Sequence, residues 1–146
     1  MKYQELLANI KAIVDKDIPL VSNLSNISAI ISKMGDLNWA GFYLVESDTL
    51  YLGPFQGDIA CTTIKIGKGV CGTCLKEKKP IIVPNVNEFP GHIACSALSK
   101  SEIVVPVMKN DEVFLIIDLD SPIYSRFHNE ELEFLLQVSR IIENIL

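Results

Sequence analysis

Hydrophobic positions along this chain keep a helical spacing at both ends and alternate in the middle. Tyr3, Leu6, Leu7, Ile10, Ile13 and Val14 recur on one helical face, which predicts a first helix over Tyr3 to Val14. A second is predicted from Pro19 to Met34, with the stripe Leu20, Leu24, Ile27, Ile31 and Met34. Proline suits its first turn and Gly35 is a natural stop. Its serines and asparagines lower intrinsic helicity, so packing must hold it.

From Trp39 the period shortens. "WAGFYLVE", Trp39 to Glu46, reads as a strand, Ser47-Asp48 as a turn and "TLYLGPF" as the return strand. "CTTIKI", Cys61 to Ile66, reads as a third strand ended by Gly67-Lys68-Gly69. A short helix over Val70 to Lys78 and a short strand in "PIIVP" follow. Asn85 to Lys100 is expected to be a long functional loop. "EIVVPVM" and "VFLIIDLD" form a second hairpin around Asn110-Asp111. A last helix spans Asn129 to Ile145, with Phe127 stapled onto Leu132, Glu131 at the third position, and His128 or Asn129 as the cap. This order implies an α+β fold, a central antiparallel sheet with the N- and C-terminal helices packed on one face.

Length and composition narrow the class. A chain of 146 residues is expected to be a single domain, residues 1–146. At that size it can bury roughly 70% of its unfolded surface and needs no metal or disulfide to fold. The net charge of −5 comes with no lysine/arginine cluster, so nucleic acid and anionic membrane are poor partners. No apolar stretch approaches a membrane span, and "MKYQELLANIKAIVDKD" mixes acids and amides into its apolar pattern, unlike a signal peptide. A cytoplasmic location is therefore expected, where the four cysteines would be kept reduced.

Strand alternation singles out three acids. Asp118 and Asp120 share one face of their strand with Phe114 and Ile116, while Leu115, Ile117 and Leu119 face the other way. Glu102 opens the neighbouring strand of the same hairpin. Two acids in an apolar run are costly unless paired or useful. Either the aspartates solvate a strand end, or three carboxylates converge. Convergence would attract a cation or hold a proton on one acid.

The cysteines admit two chemistries. Cys71 and Cys74 form C-x-x-C, and His92 and Cys95 form H-x-x-C, which together have the ligand types of a structural zinc site. Alternatively, Cys95 lies in a small-residue segment whose backbone N–H groups could stabilise a thiolate, with Cys61 and Cys71 as candidate resolving thiols. The strand–helix order around C-x-x-C does not match a thioredoxin-like motif.

The segments "NWAGFYL", "LGPFQG", "AC…IKIGKGVCGT", "PNVNEFPGHIACSALSKSEIVVPV" and "DLDSP…RF" resemble the free methionine-R-sulfoxide reductases, which are single GAF domains. The similarity runs in order from Asn38 to Phe127. It implies that Cys95 is the catalytic cysteine, Cys61 its disulfide partner, and Cys71 a third cysteine able to take part in resolution. It also implies that Glu102, Asp118 and Asp120 are the acidic substrate-site residues and that Trp39 and Tyr43 are aromatic pocket residues. Where Cys74 stands the family usually has a small non-thiol residue, so Cys74 is read as a packing residue.

The activity so implied is thiol-dependent reduction of free methionine-R-sulfoxide. Cys95 attacks the sulfoxide sulfur while an acid stabilises the protonated oxygen. The resulting sulfenic acid condenses with Cys61 or Cys71, and an external dithiol such as thioredoxin reduces the disulfide. No cofactor and no metal are expected, and homodimerisation is a family-level expectation. Two other readings stand beside this one: a non-catalytic GAF ligand sensor, and a zinc-stabilised module using Cys71, Cys74, His92 and Cys95.

Overall fold

The computed structural model describes residues 2–92 and 97–146. Its elements are α1 (Gln4–Ile13), α2 (Leu20–Ile31), β1 (Trp39–Glu46), β2 (Thr49–Gly57), β3 (Thr63–Lys65), α3 (Gly69–Glu77), β4 (Ile81–Val83), β5 (Ser101–Lys109), β6 (Glu112–Ser121) and α4 (Asn129–Glu143). Short 3₁₀ turns occupy Ser32–Met34 and Val86–Glu88. The six strands form one antiparallel sheet of order β3-β2-β1-β6-β5-β4.

Period-two alternation divides the sheet into two cores. Ala40 and Phe42 of β1, Ile103, Val105 and Val107 of β5, and Leu115, Ile117 and Leu119 of β6 pack with apolar residues of α1, α2 and α4. The alternate residues of the same strands pack with Val70, Cys71, Cys74 and Leu75 of α3. The terminal helices therefore cover one face, as expected from the sequence. The short α3 covers the other, which periodicity alone did not assign. Cys74, with no solvent exposure, lies wholly inside this second core.

Local chemistry fixes the boundaries. Asn110 and Asp111 both adopt positive φ, 53° and 62°, the requirement of a two-residue hairpin turn whose twist matches its strands. In β2 an extra residue is accommodated at Gly53-Pro54, between the pairs Gly41↔Phe55 and Tyr43↔Leu52. A bulge is where a proline can sit within a sheet. The helix expected to run to Met34 ends at Ile31 and tightens into the 3₁₀ turn before Gly35, whose φ is +85°. The strand expected to begin at Cys61 begins at Thr63 instead. Residues 58–62 leave the sheet and run over the end of its α3 face.

Candidate active site

Register brings the three acids together. Glu102 of β5 pairs with Asp120 of β6, and Val104 with Asp118, so Glu102 neighbours Asp120 directly and Asp118 diagonally. On the far side of β6, Trp39 pairs with Asp120 and Gly41 with Asp118. The ladder continues past the strand ends: Asn38 N–H donates to the Asp120 carbonyl at 3.0 Å, and Lys100 N–H to the Ser121 carbonyl at 2.8 Å. All three acids thus sit on a paired, rigid part of the sheet and face α3.

α3 delivers a thiol onto the same spot. Cys71 lies in its first turn, and its Sγ and one oxygen each from Glu102 and Asp118 lie within 4.8 Å of one another. The close approach of α3 depends on Gly72: a Cβ there would stand 2.5 Å from the Lys65 carbonyl oxygen. The Gly72 carbonyl accepts from Gly67 N–H at 2.8 Å, locking the helix start to the end of β3. Gly41 plays a similar part in the sheet. A Cβ on it would stand 2.3 Å from the Phe55 Cβ, so its absence lets Phe55 pack close against β1, where its ring stacks on Trp39.

The aromatic wall has two further roles. Trp39 stacks on Phe55 at 5.1 Å and on Tyr43 at 5.9 Å between ring centroids. Trp39 Nε1 donates to the Asp58 carbonyl at 3.1 Å, and the Tyr43 hydroxyl donates to the Cys61 carbonyl at 2.8 Å. The two rings therefore line the cleft and hold residues 58–61 across it. Trp39 and Tyr43 share parity in β1, and both line the cleft. Ile59 lines the mouth of the cleft while 84% exposed.

The acids of this cluster make no salt bridge among the described residues, although Lys68 and His92 line the same cleft. Glu102 is 6% and Asp118 5% exposed. Burial first, and then the charges of Asp118 and Asp120, hold the Glu102 carboxyl well above its ordinary range. Burial and the charge of Asp118 do the same to Asp120, against hydrogen bonds from Glu102 and Ser99. Asp118 is raised by burial, opposed by hydrogen bonds from Glu102 and Cys71. Glu102 hydrogen-bonds to both aspartates, so the proton that burial retains is shared by the cluster, with Glu102 at its centre. Asp118 Oδ1 is buried with no hydrogen-bond partner among the described residues. Burial and the three carboxylates push the Cys71 thiol well above its usual value, so in this state it is not a thiolate.

Of the four cysteines, Cys71 and Cys74 are free and buried, and Cys61 is disulfide-bonded. Cys95, the expected nucleophile, lies outside the described residues. Burial lifts the Cys74 thiol to about 12, as fits a packing residue. The zinc set drawn from C-x-x-C and H-x-x-C does not assemble among the described residues: Cys71 clusters with Glu102 and Asp118, not with Cys74 and His92. Cys74 stays in the core because an i,i+3 pair on a packed helix directs its second thiol into the sheet.

His92 and Ser99 also line the cleft, and Asn38 Nδ2 reaches Ser99 Oγ at 3.1 Å. Burial lowers the His92 pKa, against the pull of Asp118. The sequence points to His92 only as a candidate zinc ligand and gives no role to Ser99 or Asn38, which lie in no periodic pattern. Their nearest sequence signal was inclusion in the quoted resemblance segments.

Comparison with known proteins identifies the family and the fold. The pattern that defines the GAF domain matches residues 19–146. The Saccharomyces cerevisiae free methionine-R-sulfoxide reductase is 46% identical over 148 residues, spanning 95% of this chain and 82% of its own. The chain belongs to the free methionine-R-sulfoxide reductases, a family of GAF-domain oxidoreductases. The solved fRMsr of Staphylococcus aureus in its reduced form superposes with a TM-score of 0.94 at 44% identity, covering 99% of this chain and 94% of that one. The free methionine-R-sulfoxide reductase of Neisseria meningitidis in complex with its substrate gives 0.93 at 38% identity, covering 98% and 87%. Family membership thus meets the sequence-based expectation, and no described helix is long and apolar enough to cross a membrane.

Proposed function

We propose that this chain reduces free methionine-R-sulfoxide to methionine in the cleft between β1, β6, β5 and α3. The observation that carries the reading is the acid cluster of Glu102, Asp118 and Asp120 in one cleft, with an Asp118 oxygen that has no partner among the described residues. Such a cluster fits a small substrate that brings both a cation and an oxygen to be protonated. Free methionine sulfoxide has an ammonium group and a sulfoxide oxygen on one short chain. A peptide-bound methionine sulfoxide has lost the ammonium. Residues 58–61, strapped across the cleft by Trp39 and Tyr43, favour a substrate without chain extensions.

In the proposed reaction Cys95 is the nucleophile. Its thiolate attacks the sulfoxide sulfur, and Glu102 protonates the oxygen. The oxygen passes to the Cys95 sulfur, leaving methionine and a sulfenic acid. Cys61 condenses with that acid, a disulfide forms and water departs. A dithiol of thioredoxin type then takes the disulfide's place as the oxidised partner, returning two thiols. Each turnover consumes one sulfoxide and two thiol hydrogens. The negative charge that remains on the cluster receives the ammonium, with the Trp39 ring face beside it. The bonded state of Cys61 supports its assignment to this cycle, and the protonated, buried Cys71 supports a later role for it, if any, than Cys61. Residues 1–146 are read as one GAF domain, which the packing of α1 into the same core supports.

The test is a thioredoxin-coupled assay on Cys95→Ser and Cys61→Ser. The first variant should abolish turnover. The second should permit one turnover and then stall. Full steady-state activity in Cys95→Ser would overturn the reading.

A further inference from the structure

Cys71, Glu102 and Asp118 present more than an acid cluster. A thiol sulfur and two carboxylate oxygens within 4.8 Å of one another are the donor set of a borderline-soft divalent cation. Three ligands suit such an ion when its fourth position faces an open cleft, and all three residues line the cleft that reaches solvent past Ile59. A second observation points the same way: Asp118, only 5% exposed, lines this cleft, and its Oδ1 has no hydrogen-bond partner among the described residues. Magnesium and calcium, which take oxygen ligands, would not use the sulfur.

We infer that Cys71, Glu102 and Asp118 form a site for a thiophilic divalent cation of the zinc and cadmium class, occupied in competition with the amino-acid substrate. Binding breaks the Cys71 S–H bond and forms a sulfur–metal bond. The proton, with any proton shared among the carboxylates, leaves to the buffer, and no electron is transferred. The three donors sit on α3, β5 and β6, so the ion would clamp the helix to the sheet. The site differs from the zinc set anticipated in the sequence: it uses neither Cys74 nor His92, and it needs neither Cys61 nor Cys95. Competition with substrate rests on the function proposed above, whereas the metal site itself does not.

The test uses full-length chain with Cys61→Ser and Cys95→Ser, so that only Cys71 and Cys74 remain as thiols. Cadmium is titrated in chelator-treated buffer, and the thiolate-to-metal charge-transfer band is followed. The expected result is saturation at one ion per chain. Adding Cys71→Ser should abolish the band, and adding Cys74→Ser should leave it unchanged. Asp118→Asn or Glu102→Gln should weaken binding by at least tenfold, since loss of even an outer-shell partner costs about 10- to 100-fold. Absence of the band, or its persistence in the Cys71→Ser variant, would overturn the site. In the same Cys61→Ser, Cys95→Ser chain, which cannot turn the substrate over, free methionine-R-sulfoxide should raise the apparent cadmium dissociation constant in proportion to its concentration. Unchanged cadmium affinity would overturn the competition. Turnover by the metal-free chain is scored separately, so loss of the proposed function and loss of the metal site give different results.

Discussion

Two groups of buried carboxylates stand at opposite faces of this sheet, and their chemistry runs in opposite directions. On the terminal-helix face, Glu131 of α4 is 3% exposed yet fully partnered. The Tyr3 hydroxyl donates to its Oε2 at 2.5 Å, the His128 backbone N–H to its Oε1 at 2.7 Å, and Arg126 approaches at 3.4 Å. Burial pushes the Glu131 carboxyl up, but those donors and the guanidinium outweigh it and hold the pKa below the ordinary range. Arg126 is held in turn by the Tyr3 hydroxyl and by the Met34 and Gly35 carbonyls. On the α3 face, Glu102 and Asp118 are buried and Asp120 half-buried, beside one another and a thiol, and their pKa values go up. Burial of an acid is therefore not the mark of the site. The mark is burial with no salt bridge among the described residues, which leaves a place for a cation to arrive.

The sharpest way to break this contrast is to neutralise one acid in each group. Glu131→Gln leaves Arg126 without its carboxylate and should cost about 3 kcal/mol of stability, with the specific activity of the folded fraction little changed. Glu102→Gln should do the reverse. Activity should fall by about 10²- to 10⁴-fold, the size of a lost general acid, while stability at neutral pH holds or rises. Urea unfolding beside the coupled assay measures both. Equal stability losses in the two variants would erase the distinction.

The two groups should also separate along the pH axis. Glu131 has a depressed folded pKa, so its contribution is complete above the ordinary carboxylate value of about 4.3 and is lost as pH falls through the folded value. Glu102 and Asp120 have raised folded pKa values, so their protonated forms favour the folded state at low pH. That contribution is lost as pH rises from about 4.3 through the raised values. Unfolding free energy of the reduced protein, measured in steps across pH, should show an acid limb that Glu131→Gln flattens and an opposing limb that Glu102→Gln flattens. A single limb removed by either variant would contradict the assignment.

A smaller effect tests how the thiol is delivered to the acids. Gly72→Ala introduces a Cβ against the Lys65 carbonyl and should cost about 1–3 kcal/mol. Because Cys71 moves with the helix, activity should fall alongside stability. Thermal melts and the assay together measure it, and an unstrained, fully active variant would show that α3 need not sit so close.

Much of the acid site is legible in the chain because a strand has a strict period of two. Parity alone placed Asp118 with Asp120, whereas Trp39 and Tyr43 came from the family resemblance. The hairpin at Asn110-Asp111 brought Glu102 beside the aspartates. The cysteines were less legible. Periodicity does not reveal that α3 takes the opposite face from the other helices, so a C-x-x-C on it mimicked a ligand pair until packing sent Cys74 into the core. Residues 61 and 62 read as strand, since "CTTIKI" has strand composition, but the Tyr43 hydroxyl draws the Cys61 carbonyl across the cleft instead. The partnered acid was hidden as well. Glu131 was visible only as a helix-start residue, because Tyr3 and Arg126 reach it from remote parts of the chain.

The central claim is that the uncompensated acids serve a free amino acid bearing a sulfoxide. The most direct measurement is the thioredoxin-coupled rate with free methionine-R-sulfoxide, free methionine-S-sulfoxide and peptide-bound methionine sulfoxide at equal concentration. Turnover of the free R form alone, lost in Glu102→Gln, is the expected result. Comparable turnover of the peptide-bound form, or a Glu102→Gln variant as active as wild type on the free R form, would contradict it.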